Sequence, residues 1–149
     1  MTKKLSETPK NWLTLDVCAR LFRTFKEKLQ FDEPIPHFET RFKGKLEGIL
    51  NSVNQTYDGT PLNSTILDAA SAYFNQLVRG HPFQNGNKRL AVLFTHYFLI
   101  LNNIDFTLDY KEMYHFAVTI ALESERGATA ERTKEWAKLI LKRFTKDLD

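Results

Sequence analysis

Residues 81–89 read His81-Pro82-Phe83-Gln84-Asn85-Gly86-Asn87-Lys88-Arg89 and run directly into Leu90-Ala91-Val92-Leu93-Phe94. In this order the residue types suit chemistry at phosphorus. The pattern predicts a loop that becomes the first turn of a helix at about Asn87. A helix start leaves backbone N–H groups without intrahelical partners and carries roughly half a positive charge. Gly86 lets the main chain approach a ligand closely, and Asn87 adds a side-chain amide beside those N–H groups. Lys88 and Arg89 oppose the helix dipole, so local stability does not account for them, whereas an incoming phosphate does. The imidazole of His81, whose ordinary pKa is near 6.5, can take a proton from a hydroxyl as that hydroxyl attacks phosphorus. Phe83 reads as a buried peg that fixes the loop. Taken alone, Gly86–Arg89 also fit a plain helix start with solvated polar side chains, and His81 a solvated histidine; the complete run is more specific.

The run His-Pro-Phe-x-x-Gly-Asn-Lys-Arg resembles the signature of the Fic/Doc family, which transfers parts of nucleotides onto hydroxyl side chains of proteins. Lys88 stands where the AMP-transferring branch has a second Gly, which makes the run similar to the Doc (death-on-curing) branch. Gly44-Lys45-Leu46-Glu47 and Thr56-Tyr57-Asp58-Gly59 also look Doc-like, and the resemblance covers about Leu13 to about Leu101. It implies His81 as general base and Lys88 as a second catalytic group. Asn85, Gly86, Asn87, Lys88 and Arg89 would hold the nucleotide, with ATP as substrate and Mg2+ as the accompanying ion. The expected reaction moves the γ-phosphoryl group to a Ser, Thr or Tyr hydroxyl of a target protein, elongation factor Tu being the target the family implies. AMP transfer by the same site is the alternative. The resemblance also implies control by a separate antitoxin protein.

Two residues depart from the family pattern. Asn85 occupies a position that is usually Asp or Glu, where the carboxylate helps to hold Mg2+; a neutral amide is a poor ligand for so hard a cation. A degenerate module that binds a nucleotide or a protein without chemistry is therefore the competing function. Val92 stands where AMP-transferring members carry another Arg, the residue that a restraining glutamate pairs with in some of them. Glu47-Gly48 echoes the end of that restraining motif, but Lys43 replaces its hydroxyl residue, so restraint by Glu47 is not expected.

Stepping outward from the motif, the apolar spacing predicts an all-α bundle in one domain, 1–149, around a central helix from Asn87 to Leu101. Thr14 caps a helix with Val17, Cys18, Leu21, Phe22, Phe25 and Leu29 on one face. Pro34 and Pro36 mark a connector containing His37, and a helix over about 42–53 follows, in which Gly44 and Gly48 allow close packing or mark a short, late start. Ser64 caps a helix to Arg79, which Gly80 ends in a left-handed conformation. His96, inside the central helix, reads as a hydrogen-bonded structural residue. Asp109 and Thr129 cap the last two helices, the final one carrying Lys134, Lys138, Lys142, Arg143 and Lys146 on a basic face. Strand signals are confined to about 54–63, where Asp58-Gly59 marks a hairpin. This is a plain surface turn or, as the resemblance implies, a flap (Tyr57, Asp58, Gly59) that docks the target peptide as an added strand.

The 149 residues are 42% hydrophobic and 26% charged, with twelve Phe, as in a soluble globule with an aromatic core. A net charge of +3 accommodates an anionic ligand but makes no case for nucleic acid. One cysteine, Cys18, forms no internal disulfide, suggests a reducing compartment and reads as core. No stretch approaches ~18 uninterrupted apolar residues, and Met1–Lys10 lacks the apolar run of a signal peptide. The expected location is cytoplasmic.

Overall fold

The computed structural model describes residues 2–30 and 33–148, which are 63% helical. Caps written in the sequence set most helix starts. The Thr14 hydroxyl accepts a hydrogen bond from Val17 N–H and opens α1 (Leu15–Phe25). Asp109 and Glu112 form a reciprocal capping box at the start of α5 (Tyr110–Glu125), and Thr129 caps α6 (Ala130–Arg143). Between α1 and these lie α2 (Lys45–Val53), the hairpin β1 (Thr56–Tyr57) and β2 (Thr60–Pro61), α3 (Ile66–Gly80) and α4 (Asn87–Leu101). The hairpin turns on Asp58 and Gly59, both at positive φ, the geometry a two-residue turn demands.

The centre of the molecule is α3 packed on α4, with α2 and α6 against α3 and α5 against α4. Residues Arg89–Thr95 of α4 are all buried, as are Phe98 and Leu99, and Tyr73, Phe74 and Leu77 of α3 meet them in one apolar cluster. Cys18 belongs to that cluster, and burial pushes its thiol up to about 12, so it is an inert core residue. No helix among the described residues is long and apolar enough to cross a membrane.

Four expectations are corrected. The cap of α3 is Thr65, whose hydroxyl accepts from Asp68 N–H at 3.0 Å, and not Ser64. Gly80 is the last helical residue, and the left-handed position falls to His81 (φ 46°). The glycine packs closely on α2 there, where a Cβ would meet Ile49 Cδ1 at 2.8 Å and displace the end of that side chain. Helix α2 begins at Lys45 and not at about Phe42, the late start that its glycines suggested, because Gly44 is left-handed (φ 78°). Strands are not confined to the hairpin: β3 (Ile104–Phe106) pairs antiparallel with β4 (Thr145–Asp147). Lys146 therefore lies on a strand, and the basic face ends with the helix at Arg143. Lys134 and Lys138 on that face bond to Asn63 and Asp68, so part of it binds the bundle together.

His96 is hydrogen-bonded, as expected, and sits at 2.5 Å from Asp105 Oδ1 and 2.6 Å from the Tyr110 hydroxyl, its ring stacked on Phe106. It joins α4, β3 and α5.

Candidate active site

The segment between α3 and α4 is held at each step. His81 leaves the helix in the left-handed conformation, and the carbonyl of Pro82 accepts a hydrogen bond from Phe42 N–H at 2.9 Å. Phe83 is buried among Phe22, Phe38 and Phe94, with ring centroids 5.8–6.2 Å away. The Asn87 side chain then closes the loop on itself: Phe83 N–H donates to Asn87 Oδ1, and Asn87 Nδ2 donates to the Phe83 carbonyl, both at 2.8 Å. The amide expected beside the anion nest thus serves to rigidify the loop, and what Asn87 offers a ligand is its main-chain N–H.

Helix α4 starts at Gly86 (φ 80°), whose carbonyl accepts the first intrahelical bond, from Leu90 N–H. The N–H groups of Asn87 and Lys88 precede that bond and carry the positive end of the helix. Gly86 is itself buried, and a Cβ there would come within 2.7 Å of Ile35 Cγ1. The missing side chain therefore admits Ile35 behind the loop as well as bare backbone in front.

His81, Asn85, Gly86, Asn87, Lys88 and Arg89 border one cavity of about 180 Å³, completed by Gln84 and by Tyr114 of α5. That volume is below the ~300–1,000 Å³ that encloses a whole small molecule, so the cavity suits the phosphate end of a nucleotide. The two cations separate in role. Lys88 is half-buried at the cavity, and among the described residues no carboxylate lies within 4.0 Å of its ammonium. Arg89 is 3% exposed, and its Nη1 donates to the carbonyls of Leu29 at 2.7 Å and Glu33 at 2.5 Å. Arg89 fastens the connector to the motif, which leaves Lys88 as the solvent-accessible cation of the pair.

Asn85 also faces the connector. Its Nδ2 donates to Glu33 Oε2 at 3.2 Å and to the Pro34 carbonyl at 3.0 Å. The flap residues Tyr57, Asp58 and Gly59 are exposed and do not border the cavity. Glu47 lies 3.6 Å from Arg41 and faces a different cavity, so nothing in its contacts restrains the motif.

The Fic/DOC family model matches residues 12–99. The chain belongs to the Fic/DOC family. A search of curated proteins finds no match. The Fic/DOC match ends within α4, so the bundle's completion by α5 and α6 lies beyond it, and with it Tyr114. Sequence reasoning missed Tyr114 because it sits one position off the buried stripe of Met113 and Ala117; only the packing of α5 on α4 brings it to the cavity. Gln84 was hidden in the variable middle of the motif. Fic/DOC proteins are generally transferases.

Proposed function

We propose that the protein is a Doc-like transferase that moves the γ-phosphoryl group of ATP to a hydroxyl of a protein substrate. The observation that carries this reading is the sharing of one small polar cavity by His81, Lys88 and the first-turn N–H groups of α4. His81 takes the proton of the target hydroxyl as its oxygen bonds to phosphorus; the bond to the bridging oxygen breaks and ADP leaves. The N–H groups of Asn87 and Lys88 and the Lys88 ammonium stabilise negative charge on the phosphate oxygens. The Phe83 peg and the Asn87 clamp keep His81 at a fixed separation from that nest. Lys88 adds bulk and charge at the nest, which supports γ-phosphoryl over AMP transfer. The exposed edges of β1 and β2 support docking of the target peptide as an added strand.

Mg2+ fits this donor set as an ion carried by the nucleotide. Among the described residues no three His, Cys, Asp or Glu converge on a metal site. The motif contributes the side-chain amide oxygens of Gln84 and Asn85, and Mg2+ is ordinarily held by one or two protein oxygens together with phosphates. When bound, Mg2+ would supply charge neutralisation at the phosphates. A translation factor as target and an antitoxin as regulator complete the proposal, on family resemblance alone.

Incubation with α- and γ-labelled ATP tests it. Incorporation of γ-label into a protein target, lost in His81→Ala while ATP binding persists, is the expected result. α-Label indicates AMP transfer by the same site. ATP binding without either label favours the degenerate binding module, the reading that Asn85 supports.

A further inference from the structure

Among the described residues that border the cavity, Tyr114 is the one from outside the motif. It comes from α5, which the family match, ending at residue 99, does not reach. Its place follows from how α5 is fastened. One turn earlier, the Tyr110 hydroxyl lies 2.6 Å from His96 Nδ1 of α4, and His96 Nε2 lies 2.5 Å from Asp105 Oδ1 of β3. Residues four apart share a helix face, so the face that Tyr110 turns to α4 carries Tyr114 as well. The buried stripe of α5 runs through Met113 and Ala117, and Tyr114 stands half-buried beside it. Filling the core therefore does not account for a large ring at 114.

A polyphosphate calls for hydrogen-bond donors, and three motif side chains at the cavity have theirs engaged elsewhere. Asn87 exchanges bonds with the Phe83 main chain through both ends of its amide. Asn85 Nδ2 donates to Glu33 and Pro34. Arg89, 3% exposed, is turned to the Leu29 and Glu33 carbonyls. His81, as the base, must accept a proton and not donate one. The motif is left with Lys88 and the exposed Gln84 as side-chain donors. A phenol adds a donor without adding charge, on a ring with few rotamers to lose. Among the described lining residues Tyr114 is the one that carries a hydroxyl.

The geometry points to Tyr114 as a substrate-contacting residue: its hydroxyl donates to an oxygen of the nucleotide's polyphosphate from the α5 side of the cavity, while Lys88 and the first-turn N–H groups hold the same group from the α4 side. The anion nest is completed by a helix that the motif does not contain. This assignment rests on the transferase reading and names a ligand contact of that same site.

The test is binding of ATP and of inorganic tripolyphosphate by calorimetry, each with Mg2+ and without a target protein, alongside urea unfolding. Tyr114→Phe removes the hydroxyl and keeps the ring, so the urea midpoint should not move. It is expected to lower affinity for both ligands by the same factor, about 10-fold or more, the scale of a hydrogen bond to a charged group. Equal losses place the contact on phosphate, since tripolyphosphate has neither base nor ribose. If Tyr114→Phe binds both ligands as the wild type does, or loses ATP affinity while keeping that for tripolyphosphate, the assignment is wrong and the transferase reading stands. If the wild-type chain binds neither ligand, both fall.

Discussion

Gly86→Ala probes how the floor of the cavity is held. Gly86 lies at φ +80°, where an L side chain costs about 1–2 kcal/mol. A Cβ there would approach Ile35 Cγ1, Cδ1 and Cγ2 at 2.7, 3.1 and 3.2 Å. Ile35 is 3% exposed, so the overlap adds an overpacking cost of about 1–3 kcal/mol. The expected loss for Gly86→Ala is therefore about 2–5 kcal/mol. Ile35→Ala removes all three atoms that the new methyl would strike, at a cavity cost of about 2–5 kcal/mol. In the double variant only the backbone part should remain, so the two losses should fall short of additivity by about 1–3 kcal/mol. Urea unfolding of the four proteins measures this cycle directly. Additivity within about 0.5 kcal/mol would mean that the bare α-carbon is not there to admit the connector, and the account of the floor would fail.

Asn85→Asp should raise Mg2+ affinity and the rate of transfer, while in EDTA it should lose about 1 kcal/mol of stability as the bonds to Glu33 and Pro34 are lost; an unchanged rate removes Asn85 as the limiting feature. Arg89→Met should lower stability by about 3 kcal/mol in urea unfolding, because the Leu29 and Glu33 carbonyls lose a charged donor; a loss of ATP affinity at unchanged stability would instead assign Arg89 to the phosphates. Burial opposes ionisation of Asp68, but hydrogen bonds from Lys138 and Thr65 and the charges of Lys138 and Lys134 outweigh it, holding the carboxyl below its usual range. The hydrogen bond to Asp68 raises Lys138. The bond between α3 and α6 should therefore contribute its full share, about 0.5–1 kcal/mol, through neutral pH. The Asp68 part goes as pH falls through its depressed folded pKa, and the Lys138 part as pH rises through its elevated one. Lys138→Met should flatten both limbs in a pH series of urea midpoints.

What could be read from the letters was local. The caps at Thr14, Asp109 and Thr129, the hairpin at Asp58-Gly59, and the start of α4 at Asn87 each depend on a few neighbouring residues. The buried stripe of α4 was legible because nearly every side of it is apolar. Ser64 and Thr65 are both capping residues, and only the hydrogen bond to Asp68 N–H separates them. Gly80 looked like a helix terminator because the sequence does not show its close packing on Ile49 of α2. Strand β3 could not be foreseen because its partner β4 is some forty residues away. In the site, His81, Gly86 and Lys88 were legible from their chemistry. The turning of Asn87, Asn85 and Arg89 toward main-chain groups was not, since peptide N–H and C=O groups are partners that any sequence would provide.

A seam made this way has a mutational consequence. The oxygens of Leu29, Glu33 and Pro34 that the motif grips belong to the peptide chain, so exchanging the side chains there leaves the grip intact provided the backbone follows the same course. Leu29, buried in the core, and Ile35, wedged against Gly86, are the exceptions that need their shapes. Glu33 and Pro34, exposed behind the motif loop, are thus tolerant places for variation, where charge and surface character can drift across generations while the loop itself stays put.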